Sequence, residues 1–397
     1  MTRTFDPHDP RHLEDGVPFD LLAEIRREEP VVRTPGGAWY LSRQADVLAV
    51  LKDVDTFSAD LGPMSGVRSV EDVPEDQRWL SEIEEPRHGR IRRLFNASFG
   101  PHRTREVAGF VRTTCLQLVE AMSKEPVADL HEGYAMPIPG LVMAHVLGLP
   151  AEVSADFMTW STDGSILQRP ASPGVDPGGP GIQAYFSRRL AEQRALPEPD
   201  NFVFKTFIEA EIEGEPLTDQ EIVTELHFMI QAGVHTTRGL LTHVVERLVL
   251  SPEIFAKLQD DRELVAPFVE ESLRHDAPVQ RVTRRCRHAT SVGQTEMAEG
   301  DWIEVGIASA NRDESVYPEA ESFRLDRSDP KGHVAFGAGP HVCPGAILAR
   351  TEALTAVDVL LDTLQELRSV PGEAYPPIPG NLGHKAVPAV LVPKDEG

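Results

Sequence analysis

Phe336-Gly337-Ala338-Gly339-Pro340-His341-Val342-Cys343-Pro344-Gly345 is the stretch on which the fold turns. Glycines at alternate positions let backbone approach a flat ligand closely and leave N–H groups exposed. A single cysteine in such a loop, directly before a helix, has a thiol whose pKa the helix N-terminus lowers, and thiolate is the metal-ligating form of cysteine. The two other cysteines, Cys115 and Cys286, lie far off, in a helical pattern and in a strand-like run. They read as inert core thiols. No C-x-x-C pair offers a zinc site, and three widely spaced cysteines make no disulfide framework.

Working outward, Gly345 to Leu367 has helical periodicity, as has Leu264 to His275. Thr218-Asp219-Gln220-Glu221 is a capping box, threonine with glutamate three residues on, and opens a long apolar helix reaching about Leu250. Val107 to Met122, 152 to 167 and 182 to 195 read as helices. Between the last two, Arg169 to Gly174 and Pro177 to Gly181 form a Pro/Gly-rich segment, read as a linker or a lid. Near the start, Val31-Val32-Arg33 and Trp39-Tyr40-Leu41 flank Pro35-Gly36-Gly37 and predict a hairpin. Ala45 to Leu51 predicts a short helix, and 57 to 85 a long loop. The expectation is a mainly α chain with a minor β region and a single domain over 1–397.

Thiolate is one of the axial ligands of haem iron, and N–H groups around its sulfur tune it. The cysteine loop resembles the haem-binding signature F-G-x-G-x-H-x-C-x-G of cytochromes P450. All six fixed positions match, a coincidence on the order of 10⁻⁸ per start site at average residue usage. Glu271-Ser272-Leu273-Arg274 resembles the family's E-x-x-R, whose glutamate and arginine are structural there. Ala310-Asn311-Arg312-Asp313 and Phe323-Arg324-Leu325-Asp326-Arg327 resemble the segments that lead to the cysteine loop.

The resemblance implies the P450 fold and haem b (iron protoporphyrin IX), with Cys343 as the iron ligand and Phe336, Gly337, His341 and Gly345 around it. Haem carries two propionates, which need basic donors. By family position these are His88 and Arg92, at i and i+4 of a helix, with Arg284 and His341. Ala232-Gly233-Val234-His235-Thr236-Thr237 resembles the oxygen-binding stretch A-G-x-[D/E]-T-[T/S]. It implies that Ala232 and Gly233 border the oxygen site and that Thr236 supplies a hydroxyl. His235 stands where the family usually has an acid. Three readings compete: it replaces the acid in a proton relay, it marks altered chemistry, or water does the work. Pro344 is a smaller departure, because proline removes one possible N–H donor near the thiolate.

The implied activity is insertion of one oxygen atom from O2 into a small organic substrate. The chain shows no nucleotide or flavin module, so electrons are expected from a ferredoxin and its reductase. Arg90, Arg93 and Arg350 are candidate docking cations. The pocket is expected along 57–85, 168–181, Phe228 to Thr236 and the stretch after Pro278, where Arg281 either meets a substrate carboxylate or reaches solvent. A net charge of −24 argues against nucleic acid and anionic lipid as partners. The polar start and the lack of a long apolar run predict a cytoplasmic protein with no membrane anchor. Two other classes stay open: a haem-thiolate enzyme with peroxide-driven or isomerase chemistry, and a non-catalytic haem-binding protein.

Overall fold

The computed structural model describes residues 5–9, 11–12, 16–59, 74–155, 157, 179–376 and 383–394. The expected Pro/Gly-rich lid lies outside the described residues as far as 178. So do 60–73 of the expected loop and most of the expected helix 152–167.

The longest helix, Asp219–Leu250, is capped as the sequence predicts. Thr218 Oγ1 accepts from the Glu221 N–H at 3.2 Å, and Glu221 Oε2 accepts from the Thr218 N–H at 2.7 Å. Buried side chains occupy nearly every face of it, because the helix crosses the main core. There Leu240, Leu241 and Val245 pack with Leu348, Ala353 and Ala356 of the helix Ala346–Thr363. Helix Pro101–Met122 lies beside the latter and starts earlier than periodicity indicates. Proline at the first helical position forgoes an N–H that would have no partner anyway.

Helix Ala346–Thr363 stops short of the expected Leu367. Leu364–Ser369 is a strand instead, antiparallel to Pro388–Pro393, with Leu367 opposite Leu391. Pairing with a distant strand overrides the local helical pattern. Helices Phe202–Ile208 and Pro252–Asp260 are short elements that periodicity did not separate.

The predicted hairpin is present: Val31–Arg33 pairs antiparallel with Trp39–Leu41. Gly37 takes a positive φ of 87° at its turn. Trp39–Leu41 also pairs, in parallel, with Trp302–Val305. The five-stranded sheet is completed by Val282–Cys286 and Phe57–Ser58. Its small core includes Val47 and Leu51 of the helix Gln44–Lys52, with Ile303, Val305 and Val334. The cysteine loop rests here. Gly339 has a φ of 70°, and a Cβ on it would lie 2.4 Å from the Leu51 carbonyl oxygen. Only glycine fits.

The haem site

Helix Arg87–Phe99 brings two basic residues beside the cysteine loop. His88 is buried, and its ring centroid lies 4.1 Å from that of His341. Its Nδ1 meets Glu85 Oε1 at 2.9 Å, while Nε2 has no hydrogen-bond partner among the described residues. Arg92 Nη1 donates to the Pro340 carbonyl at 3.4 Å, and its Nε to Asn96 Oδ1 at 3.0 Å. Arg284, on strand Val282–Cys286, is buried and donates to its neighbour's carbonyl, Thr283 O, at 2.7 Å. Burial pulls its pKa down to about 10.

These groups converge on His341. Burial first, then the basic neighbours His88, Arg284 and Arg92, push its pKa down to about 3. A pocket that gathers four basic side chains and holds one buried nitrogen without a partner calls for an anion. Two carboxylates, the charge of the haem propionates, fit it.

At Cys343 the backbone N–H donates to Phe336 O at 2.9 Å and closes the loop. Burial pushes the thiol pKa up, while N–H groups of Gly345 and Ala346, with Arg92 and Arg350, pull it down. Those N–H groups open helix Ala346–Thr363, so the sulfur sits at a helix N-terminus as its position in sequence predicts. Pro344 adds no donor, so the N–H groups come from the two residues beyond it. Cys115 and Cys286 are buried, and burial raises their thiols to about 12 and about 11, in keeping with inert core positions.

Beneath the loop, Glu270 and Glu271 face different partners. Arg274 donates to both Glu271 oxygens at 2.8 Å, and to the carbonyls of Asn311 and Ala320 at 2.8 and 2.9 Å. Arg327 donates to the same carboxylate at 2.8 Å, and the Arg324 N–H does so at 2.8 Å. Asn311 Oδ1 in turn accepts from the Val334 N–H at 2.7 Å, joining this network to the cysteine loop. Glu270 binds Arg350 at 2.6 and 3.0 Å and His333 at 3.0 Å. Burial opposes its ionisation, yet those hydrogen bonds hold its pKa down to about 2. The sequence reading assigned no role to Glu270, His333 or Arg327. Two adjacent glutamates on one helix point about 100° apart and so meet different partners, which the local sequence does not name.

Arg350 is therefore occupied inside the protein and is not a free docking cation. Arg90 is paired with Glu213, and Arg93 is exposed. Arg281 keeps a quarter of its side chain exposed to solvent while its guanidinium is held by the protein. It pairs with buried Glu304 at 2.8 Å, which His8 also contacts at 2.7 Å.

On the long helix, Thr236 Oγ1 donates to the Ala232 carbonyl at 2.7 Å. The helix runs unbroken past Gly233, whose missing Cβ would lie 3.3 Å from Met143 Sδ. His235 is buried. His227 and Gln231, two turns and one turn earlier, touch at 3.2 Å, so 227, 231 and 235 form one buried polar stripe at helical spacing. Arg238 is buried next along the same side, its pKa lowered by burial, with Glu132 acting the other way. Trp79 stacks on Phe228 with centroids 5.6 Å apart and closes the side of the helix facing 74–85. The polar stripe was missed because each residue alone reads as an ordinary helix position.

Comparison with known proteins agrees with this geometry. The Cytochrome P450 family model matches residues 182–388. A steroid C26-monooxygenase of Mycolicibacterium smegmatis is 30% identical over 391 residues, covering 96% of this chain and 94% of the relative. The polyketide biosynthesis cytochrome P450 PksS of Bacillus subtilis is 29% identical, covering 91% and 92%. The solved structure of cytochrome P450 CYP109Q5 from Chondromyces apiculatus superposes with a TM-score of 0.85 at 30% identity, over 99% of this chain and 100% of that one. What the fold and the basic cluster define is a haem-dependent oxidoreductase. The chain belongs to the cytochrome P450 family, with haem b as its cofactor.

Proposed function

We propose that this protein, as one P450 domain over 1–397, inserts one oxygen atom from O2 into a small organic substrate in the cytoplasm, with electrons from a ferredoxin and its reductase. The observation that carries the reading is the pocket beside the cysteine loop, where the His88 and His341 rings lie 4.1 Å apart and buried His88 Nε2 has no partner among the described residues. When bound, haem b supplies the activation of O2 and the transfer of one oxygen atom.

In this reading Cys343 is the iron ligand, its sulfur steadied by the N–H groups of Gly345 and Ala346. His88, Arg92, Arg284 and His341 hold the two propionates. Phe336, Gly337 and Gly345 give the loop its close approach. On the long helix, Ala232 and Gly233 would border the oxygen site. Thr236 would turn its hydroxyl hydrogen toward that site, giving up the hydrogen bond it now donates to the Ala232 carbonyl. His235 is the proton relay of this reading, drawing on the buried stripe it shares with His227 and Gln231. Glu271 and Arg274 are structural.

Arg93, with exposed Val342 and Ile347 beside the cysteine loop, forms the face on which an acidic ferredoxin docks.

The test is the absorption spectrum of the reduced protein under carbon monoxide, for the natural chain and for Cys343→Ser. A strongly red-shifted Soret band in the first and its loss in the second are expected. A band at the position of histidine-ligated haem in the natural chain, or no haem in a folded protein, overturns the ligand assignment. Product formed with peroxide but not with any ferredoxin system overturns the electron donor.

A further inference from the structure

About two turns along the long helix from Thr236, among the described residues, His243, Glu246 and His384 bring three donor atoms within 4.8 Å of one another. His243 and Glu246 are i and i+3 on the helix, so they share a face. His384 comes from the segment leading into strand Pro388–Pro393. Its placement is built in. Gly383 beside it has a φ of 108°, and a Cβ there would lie 2.8 Å from the Thr242 Cβ, so the chain is pressed against the helix at this point. Tyr375, whose hydroxyl donates to Pro388 O at 3.0 Å, holds the same segment.

The hydrogen bonding of His384 decides what the site can take. Its Nδ1 lies 2.8 Å from the Tyr375 carbonyl, which can only accept, so Nδ1 carries the hydrogen. A neutral His384 then turns the Nε2 lone pair toward Glu246 Oε2, 3.0 Å away. Two acceptors in contact require a cation between them. A proton satisfies this pair, and a divalent metal ion satisfies it while also engaging the buried His243. A carbonyl-anchored histidine with its other nitrogen facing a carboxylate is the outer-shell arrangement of metal-bound histidines. Bonds of about 2.0–2.2 Å to zinc put its ligand atoms about 3.4 Å apart, which the Glu246–His384 separation already approximates. His384 and Glu246 keep 14% and 17% of their side chains exposed, enough for entry and for water as a fourth ligand. Asp276, which faces both histidines electrostatically, is engaged by Arg247, Arg312 and His275 and adds outer negative charge.

We infer that His243, Glu246 and His384 form a second metal site, separate from the haem, that binds one zinc-class divalent ion and staples the segment from 383 onward to the long helix. Two imidazoles and a carboxylate suit zinc over calcium or magnesium, which prefer all-oxygen shells.

The haem-loaded protein is stripped with a chelator, dialysed and titrated with zinc chloride by calorimetry. One zinc per chain is expected, with nitrogen and oxygen neighbours at about 2.0–2.2 Å in zinc-edge X-ray absorption. The double variant Glu246→Gln/His384→Gln should weaken zinc about 100-fold or more. The red-shifted carbon monoxide band of each variant reports that it is folded. The single variant His384→Gln, milder for folding, should weaken zinc by at least about tenfold. Failure of the natural chain to take up zinc means that a proton alone bridges Glu246 and His384, and overturns the site. So does a folded variant that binds zinc as tightly as the natural chain.

Discussion

The two sides of the cysteine loop use the same kinds of residue in opposite ways. Beneath it, Arg274 and Arg327 both end on Glu271, and Arg350 and His333 both end on Glu270. Every one of those basic groups has a protein carboxylate. Beside it, Arg92 and Arg284 end on backbone carbonyls or an amide, and His341 is surrounded by basic neighbours. The first set is closed and acts as framework. The second is open and acts as a receptor for charges the chain does not supply. Burial does not separate the two sets, since both contain buried arginine; a hydrogen-bonded protein carboxylate on the arginines does, for in the open set only His88 has one, Glu85.

The largest expected effect breaks the closed set. Glu271→Gln leaves two guanidinium groups without their carboxylate, and the loss of a buried partner costs about 3–5 kcal/mol. Denaturant unfolding should show it with or without haem. A loss of only a few tenths would mean that the arginines hold their places through carbonyls alone.

Next comes the open set. Arg284→Met should leave the haem-free fold as stable as before or more so, because it removes a buried cation that lacks a partner carboxylate. It should speed haem transfer to an acceptor apoprotein by about 10–100-fold, the worth of one charge-assisted hydrogen bond. If instead the haem-free protein is destabilised and haem loss is unchanged, Arg284 belongs with the framework.

A third measurement sharpens the contrast through pH. Folded Glu270 stays ionised down to about 2, whereas an unfolded glutamate protonates near its ordinary value of 4.5. Between those values the unfolded chain binds more protons, so stability falls as pH drops, by up to about 1.4 kcal/mol per pH unit for one group. Glu270→Gln should flatten the slope of unfolding free energy against pH in that window and leave it unchanged above pH 6. An unaltered slope would separate Glu270 from the acid response.

The smallest effect lies in the loop between the two sets. Pro344→Leu restores an N–H near a sulfur that now has donors from Gly345 and Ala346. A modest rise in the haem reduction potential is expected by spectroelectrochemistry. An unchanged or lower potential removes the idea that proline keeps the sulfur electron-rich.

Much of this was legible from residues close in sequence. The cysteine loop carries its own signature because glycine, histidine and cysteine must stand at fixed intervals for one turn of backbone to work. The capping box at Thr218 and the hairpin around Gly37 are local in the same way. What stayed hidden depends on partners far along the chain. Arg327 reaches Glu271 across 56 residues, and Arg350 reaches Glu270 across 80. Nothing in the sequence near Arg350 or Arg281 distinguishes a solvated arginine from a committed one. The end of the helix after Cys343 was misplaced for the same reason, since Leu364 to Leu367 become strand only because Leu391 is there to pair with.

The parallel pairing of Trp39–Leu41 with Trp302–Val305 has a consequence for the newborn chain. Trp39 Nε1 also donates to Asp301, 262 residues later. At ribosomal speeds of about 5–20 residues per second, the first hairpin waits roughly 10–50 s for its neighbour to be made. During that interval one edge of the hairpin is open to other chains. Slower translation lengthens that exposure, so expression yield should depend on growth temperature and on chaperones that shield nascent edges.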